Sequence, residues 1–156
     1  MELFLALPAD TLAPQLVRGA LGFLASVFPP TFVDDVRLVT NELVTNAIKH
    51  GGLEPSDELE IRAEGSLEGV RVEVVGGRQP FYLRPTAPGP LGTSGWGLIL
   101  VGALSNRWGY RADGETAVWF EIDRARRLAT DPLPPEVDSP PEWRSLRAGR
   151  RGSRAS

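Results

Sequence analysis

The hydrophobic period of this chain changes at Gly51-Gly52, and that change limits the fold more than any other feature. Upstream, "TFVDDVRLVTNELVTNAIKH" spaces Val36, Val39, Leu43 and Ala47 as one face of a helix, flanked by Val44 and Ile48. Thr31 stands three residues before Asp34, which predicts a capping-box start, and the two glycines predict the stop. Downstream, "ELEIRAEG" and "GVRVEVVGG" alternate apolar and polar residues across a short "SLEG" link. Alternation of this kind predicts an antiparallel hairpin covered on one face. A long amphipathic helix beside such a hairpin needs a partner for each apolar surface, and packing one on the other supplies both.

The remaining segments follow the same pattern. "LFLAL" reads as a short strand. "APQLVRGALGFLASVF" carries a helical stripe of Leu16, Ala20, Leu21, Phe23, Leu24 and Val27, with Pro14 in its first turn and Pro29-Pro30 ending it. Residues 76–94 form a long Gly/Pro-rich loop, a length that tends to be functional inside a domain. "GWGLILVGALSNRW" reads as an apolar helix, and "RWGYRAD" with "ETAVWFEI" as a second hairpin over Asp-Gly. The expected class is α+β, a two-layer sandwich with helices on one face of a mixed, mostly antiparallel sheet.

Residues 1–127 are expected to form one domain, and residues 128–156 a Pro/Arg-rich disordered tail. Five prolines fall between Pro132 and Pro141, and little apolar material accompanies them. Residues 1–122 carry 9 Lys and Arg against 15 Asp and Glu, whereas residues 123–156 carry 8 Arg against 5 acids. An acidic body argues against direct nucleic-acid binding. The chain has no cysteine and a single histidine, which excludes disulfides and thiolate chemistry and argues against a His-rich metal site. Its first residues are too short and acidic a stretch for a signal peptide, and no apolar run suits a membrane span, so a cytoplasmic location is expected.

Glu42, Asn46 and His50 lie four residues apart and so share one side of the second helix, offset from its apolar stripe. Spacing alone leaves two readings open. The three are a solvated face, or they are a site in which the hard oxygens of Asn46 and Glu42 suit Mg²⁺ and a carboxylate orients an attacking hydroxyl or water. Gly92, Gly95 and Gly97 stand directly before the third helix, where glycine lets the backbone approach a phosphate and the helix presents free N–H groups. Such a loop is also an ordinary flexible connection.

Taken in order, "ELVTNAIKHGG", "SGWGLILVGALSNRWG" and "GETAVWFEI" resemble the N box, the second glycine box and the last strand of the GHKL (Bergerat-fold) ATP-binding domains, in the branch of anti-sigma-factor serine kinases. The resemblance covers residues 1–122. It implies that Asn46 holds the Mg²⁺ of a bound Mg-ATP and that Glu42 activates the attacking hydroxyl. It implies further that Gly92, Gly95 and Gly97 meet the phosphates, that Thr116 lies near the adenine, and that His50 is either a phosphate neighbour or a residue favoured by the helix C-terminus. The implied partners are a sigma factor and an anti-anti-sigma (STAS) protein, and members of the branch often form homodimers through the early strand and helix.

One part of the pattern is missing. The family's adenine-recognising Asp falls on Gly76 and the Gly two places on falls on Arg78. No Asp or Glu lies between Val74 and Ser94, so the absence does not depend on alignment. Losing a charged hydrogen bond costs about 1.5–3 kcal/mol, roughly ten- to a hundred-fold in affinity. Arg78 is a candidate for holding a phosphate or for filling the adenine slot. Two functions follow: a kinase that phosphorylates an anti-anti-sigma partner, or a module whose nucleotide binding is weakened or lost and which regulates by association. The ATPase half of a sensor histidine kinase fits less well, because the sequence contains no phospho-acceptor or dimerisation helices.

Overall fold

The computed structural model describes residues 1–79, 96–112, 116–125 and 136–137. The elements run β1 (Glu2–Pro8), α1 (Ala13–Ala20), a 3₁₀ turn (Leu21–Ser26), α2 (Pro30–His50), β2 (Glu58–Gly65), β3 (Gly69–Val75), α3 (Trp96–Leu104), β4 (Arg107–Ala112), β5 (Thr116–Asp123) and β6 (Glu136–Val137). The strands form one sheet in the order β1-β2-β3-β5-β4-β6. Every pairing is antiparallel except the short parallel pair of β6 with β4. This is the expected α+β sandwich with a mixed, mostly antiparallel sheet.

Two local expectations need correction. The first helical stripe is not one helix: α1 ends at Ala20 and the chain continues as a 3₁₀ turn. Glycines at 19 and 22 weaken the α-helix there. The tighter turn is held from outside as well, because the Arg37 guanidinium of α2 donates from Nε to the Arg18 carbonyl at 3.1 Å. The capping box at Thr31 does not form. Pro29, extended at ψ 155°, is the cap residue, and no side chain caps the helix. A residue before proline is driven out of the helical region, and Pro30 is preset for the first helical position, so the helix begins one residue ahead of Thr31. Phe28 and Phe32 stack across this junction with ring centroids 4.4 Å apart.

The core lies between the helices and one face of the sheet. Val36, Val39, Leu43, Val44 and Ala47 of α2 are fully buried in the same cluster as Leu59, Ile61, Val72, Val74, Trp108 and Phe120. Each such Val or Leu contributes about 1.5–3 kcal/mol by leaving water, so α2 is fixed by its apolar stripe rather than by its ends. The one buried polar residue on this stripe, Thr40, donates its hydroxyl to the Val36 carbonyl at 2.7 Å. α3 packs on α2. α2 ends where Gly51 N–H reaches the Ala47 carbonyl and Gly52 turns to φ 66°, a left-handed value that glycine adopts without strain.

The other face of the sheet is ionic. Register aligns Phe4, Arg62, Glu73, Trp119 and Gly109 across five strands, with a neighbouring row of Glu2, Glu64, Arg71, Glu121 and Arg107. Glu73 accepts from Arg111 at 2.6 Å and from Arg62 at 3.3 Å. Arg71 bonds Glu121 at 2.5 Å and lies 4.1 Å over the Trp119 ring. Among the described residues, no helix is long and apolar enough to cross a membrane.

Candidate functional site

Of the sequence-identified residues, His50, Gly76, Arg78 and Thr116 lie where the C-terminal end of α2 meets the end of β3 and the start of β5. Glu42 and Asn46 are half-buried on successive turns of α2, and His50, its last residue, is exposed. The buried stripe of Val39, Leu43 and Ala47 runs beside them on the same helix, offset toward the core. Glu42 and Asn46 therefore sit on rigid backbone with access to solvent, while His50 belongs to the rim.

Backbone hydrogen bonds join this helix end to the sheet. The Gly51 carbonyl accepts from Arg78 N–H at 2.7 Å and from Gln79 N–H at 3.0 Å. The Thr116 carbonyl accepts from Gly76 N–H at 3.0 Å, and Thr116 N–H reaches the Gly77 carbonyl at 3.4 Å. Thr116 itself is buried. Gly51, Gly76, Gly77, Arg78 and Thr116 thus form one seam directly after His50. A Cβ on Gly51 would lie 2.3 Å from the Ala47 carbonyl oxygen and 3.3 Å from Gly77 Cα, so only glycine lets the two backbones come this close.

The position of the missing acid has a distinctive backbone. Gly76 has φ 148° and Gly77 φ 98°. A Cβ on Gly76 would also stand 3.0 Å from the Leu59 side chain. The site therefore lacks both the carboxylate and the backbone conformation that would carry one. Arg78 does not fill a slot. Its side chain is 69% exposed and its Nη2 donates to Asp57 Oδ1 at 2.9 Å. Asp57 is fixed in turn, because its other oxygen accepts from Glu54 N–H at 2.9 Å. An acid therefore does stand at this corner, but it comes from the turn before β2.

Gly97 lies in the first turn of α3, while Gly92 and Gly95 fall outside the described residues. Sequence reasoning missed Asp57 and read Gly51 only as a helix stop. The two Gly-Gly pairs, 51–52 and 76–77, were the available signal that two backbones meet closely here.

A model of the histidine kinase-like ATPase domain matches residues 7–122, most of the chain and all of this corner. The chain belongs to the histidine kinase-like ATPase family. No curated protein matches it. The crystal structure of the RsbU and RsbW domains of Rv1364c from Mycobacterium tuberculosis is similar, with a TM-score of 0.61 and 23% identity over 85% of this chain. This chain spans 36% of that structure's length, and at that identity the likeness is one of fold.

The family implies Mg-ATP, and the residues present fit it unevenly. Among the described residues no three His, Asp or Glu side chains cluster as a metal cage. Mg²⁺ needs no such cage when it rides on phosphates and takes one or two protein oxygens. Asn46, half-buried and next to the Glu42 carboxylate, suits that role. At the base-recognition end, Gly76 offers no acceptor side chain for an amino group.

Proposed function

We propose that this ATPase-family domain is an anti-sigma-factor-like regulatory kinase that binds Mg-ATP and phosphorylates a serine on an anti-anti-sigma (STAS) partner. The observation that carries the reading is the Glu42–Asn46 pair. The two stand half-buried on successive turns of a helix whose adjacent apolar stripe is locked in the core and whose C-terminal end is bonded to the sheet at Gly51. Bound Mg-ATP supplies the transferable phosphoryl group and neutralises its charge. In this reading Asn46 offers its carboxamide oxygen to the metal. Glu42 accepts the proton of the serine hydroxyl, and backbone N–H groups at the start of α3, with Gly92, Gly95 and Gly97, face the phosphates. Thr116 borders the base, and His50 stays at the rim. Phosphorylation would place negative charge on the partner's docking surface and loosen it. A sigma factor is the other proposed partner, and a homodimer and cytoplasmic placement belong to the same reading, while β6 carries the sheet past the expected domain end at residue 127.

A second reading is favoured by Gly76: the domain binds nucleotide poorly and regulates a sigma factor or related partner by association. Titration calorimetry with Mg-ATP and Mg-ADP separates the two. The kinase reading expects micromolar binding that Asn46→Ala weakens at least ten-fold. Absence of binding at millimolar nucleotide rejects it in favour of the association module.

A further inference from the structure

The β3 corner lacks its carboxylate, but the neighbouring strand brings one to the same side of the sheet. In the β2–β3 ladder Glu60 pairs with Val75, which sets Leu59 opposite Gly76. A Cβ on Gly76 would accordingly stand 3.0 Å from Leu59 Cδ1 and 3.6 Å from Leu59 Cα. Two residues further along, the same register sets Asp57 opposite Arg78, and the 2.9 Å bond between their side chains agrees with it. Asp57 comes just before β2, yet its carbonyl accepts from Ala9 N–H at 2.9 Å, so it continues the β1–β2 ladder. Residues two apart in a strand project from one face. Leu59 and Ile61 are buried in the cluster that also holds the apolar stripe of α2. Asp57 therefore belongs to the helix side of the sheet, as Gly76 does.

This carboxylate is held in place without being used up. Oδ1 accepts from Arg78 Nη2 and Oδ2 accepts from Glu54 N–H, each at 2.9 Å. A carboxylate has about four lone-pair sites on its two oxygens, so these two bonds leave acceptor capacity on both. The side chain is 24% exposed, which keeps that capacity within reach of a ligand. A bond to Asp57 Oδ2 ties it to the Glu54 main chain, and a second main-chain bond runs from Asp57 N–H to the Glu54 carbonyl at 2.9 Å. The acid thus sits on a turn closed from both directions.

We propose that Asp57 is the base-reading acid of this domain, its carboxylate accepting a hydrogen bond from the amino group of adenine in place of the acid missing at Gly76. The inference rests on the Mg-ATP reading above and names the residue that gives that site its base specificity. Asp57 stands one strand over and two residues along from Gly76, so the contact is displaced toward β2. The chemistry is discriminating. A carboxylate attracts the amino group of adenine and repels the carbonyl oxygen that hypoxanthine and guanine carry at the same ring position. Arg78 is then a positioning residue, acting through Asp57 rather than on the nucleotide.

Calorimetric titration of the full-length chain with Mg-ATP and with Mg-ITP tests this, because inosine has a carbonyl oxygen where adenosine has the amino group. The parent is expected to bind Mg-ATP at least about ten-fold more tightly than Mg-ITP. Asp57→Ala should bring the two affinities within about two-fold of each other, chiefly by weakening Mg-ATP. Asp57→Asn puts an N–H₂ donor where an acceptor stood, and should shift the preference further toward Mg-ITP. The ratio within one variant separates base reading from folding, since a damaged turn weakens both nucleotides together. A shared loss that leaves the parental ratio unchanged, or removes both nucleotides, overturns the proposal and makes Asp57 structural. A parent that binds both nucleotides equally overturns it as well, with the Mg-ATP reading intact. A parent that binds neither at millimolar concentration removes the Mg-ATP reading and this assignment with it.

Discussion

The two ends of the candidate site are built from different materials. At the α2 end the proposed working groups are side chains, Glu42 and Asn46, on a helix anchored by Val39, Leu43 and Ala47 at 0% exposure. At the β3 end there is almost no side chain to use. Gly76 and Gly77 hold backbone conformations that other residues avoid, and the corner closes through main-chain bonds to Gly51 and Thr116. A helix packed along its length can lose one polar side chain and keep its shape. A seam of glycines cannot gain one without moving. The first end should therefore fail chemically when altered, and the second structurally.

The largest effect expected on that contrast is chemical. Glu42→Gln should lower phosphoryl transfer to a STAS partner by about 10²–10⁴-fold, the range for a positioned general base. Its melting temperature and Mg-ATP affinity should stay close to those of the parent. Unchanged transfer in a single-turnover phosphorylation assay would remove Glu42 from the mechanism. Gly51→Ala tests the other end. Its methyl group would press on the Ala47 carbonyl and on Gly77, backbone atoms that cannot swing aside. A loss of about 1–3 kcal/mol in urea unfolding is expected, and a neutral result would show that the seam is loose.

Gly76→Asp sharpens the comparison further. It restores the family's acid in sequence but places a side chain at φ 148° and against Leu59. A stability loss of about 1–2 kcal/mol is expected, with no gain in the calorimetric affinity for Mg-ATP. A ten-fold gain with parental stability would mean that only the side chain, and not the backbone, separates this corner from an adenine-reading one.

This contrast also explains what was legible in the sequence. The period change at Gly51 marked α2 and the β2–β3 hairpin because a one-sided core imposes 3.6- and 2-residue repeats directly on the residue order. Glu42 and Asn46 were readable for the same reason, as an offset on that repeat. The start of α2 was misread because Thr31 and Asp34 fit a capping box locally, while the Pro29-Pro30 geometry decides the matter one residue earlier. Asp57 was invisible because its meeting with Arg78 spans 21 residues and depends on β2 and β3 pairing in register. The buried ionic face was hidden too. Glu73 and Arg111 read as solvent-facing positions in alternating strands, and nothing in an alternation says which polar residues will be covered.

The smallest effect expected is at Arg78. Its bond to Asp57 links the β3 end to the turn before β2, but the guanidinium is mostly in water. Exposed ion pairs contribute about 0.2–1 kcal/mol, less as salt rises. Arg78→Ala should therefore change unfolding free energy by less than about 1 kcal/mol, and Asp57→Asn by a similar amount. The double variant should lose less than the sum of the two, because both single changes break one interaction. Nucleotide affinity discriminates more sharply than stability. If Arg78 serves only this pair, calorimetric affinity for Mg-ATP stays within two-fold of the parent. If the guanidinium leaves Asp57 for a phosphate when nucleotide arrives, Arg78→Ala loses a charge-assisted contact worth about 1.5–3 kcal/mol. Asp57→Asn would then tighten binding, since it frees the arginine. Opposite signs for the two single variants would move Arg78 from the surface of the β3 corner into the site.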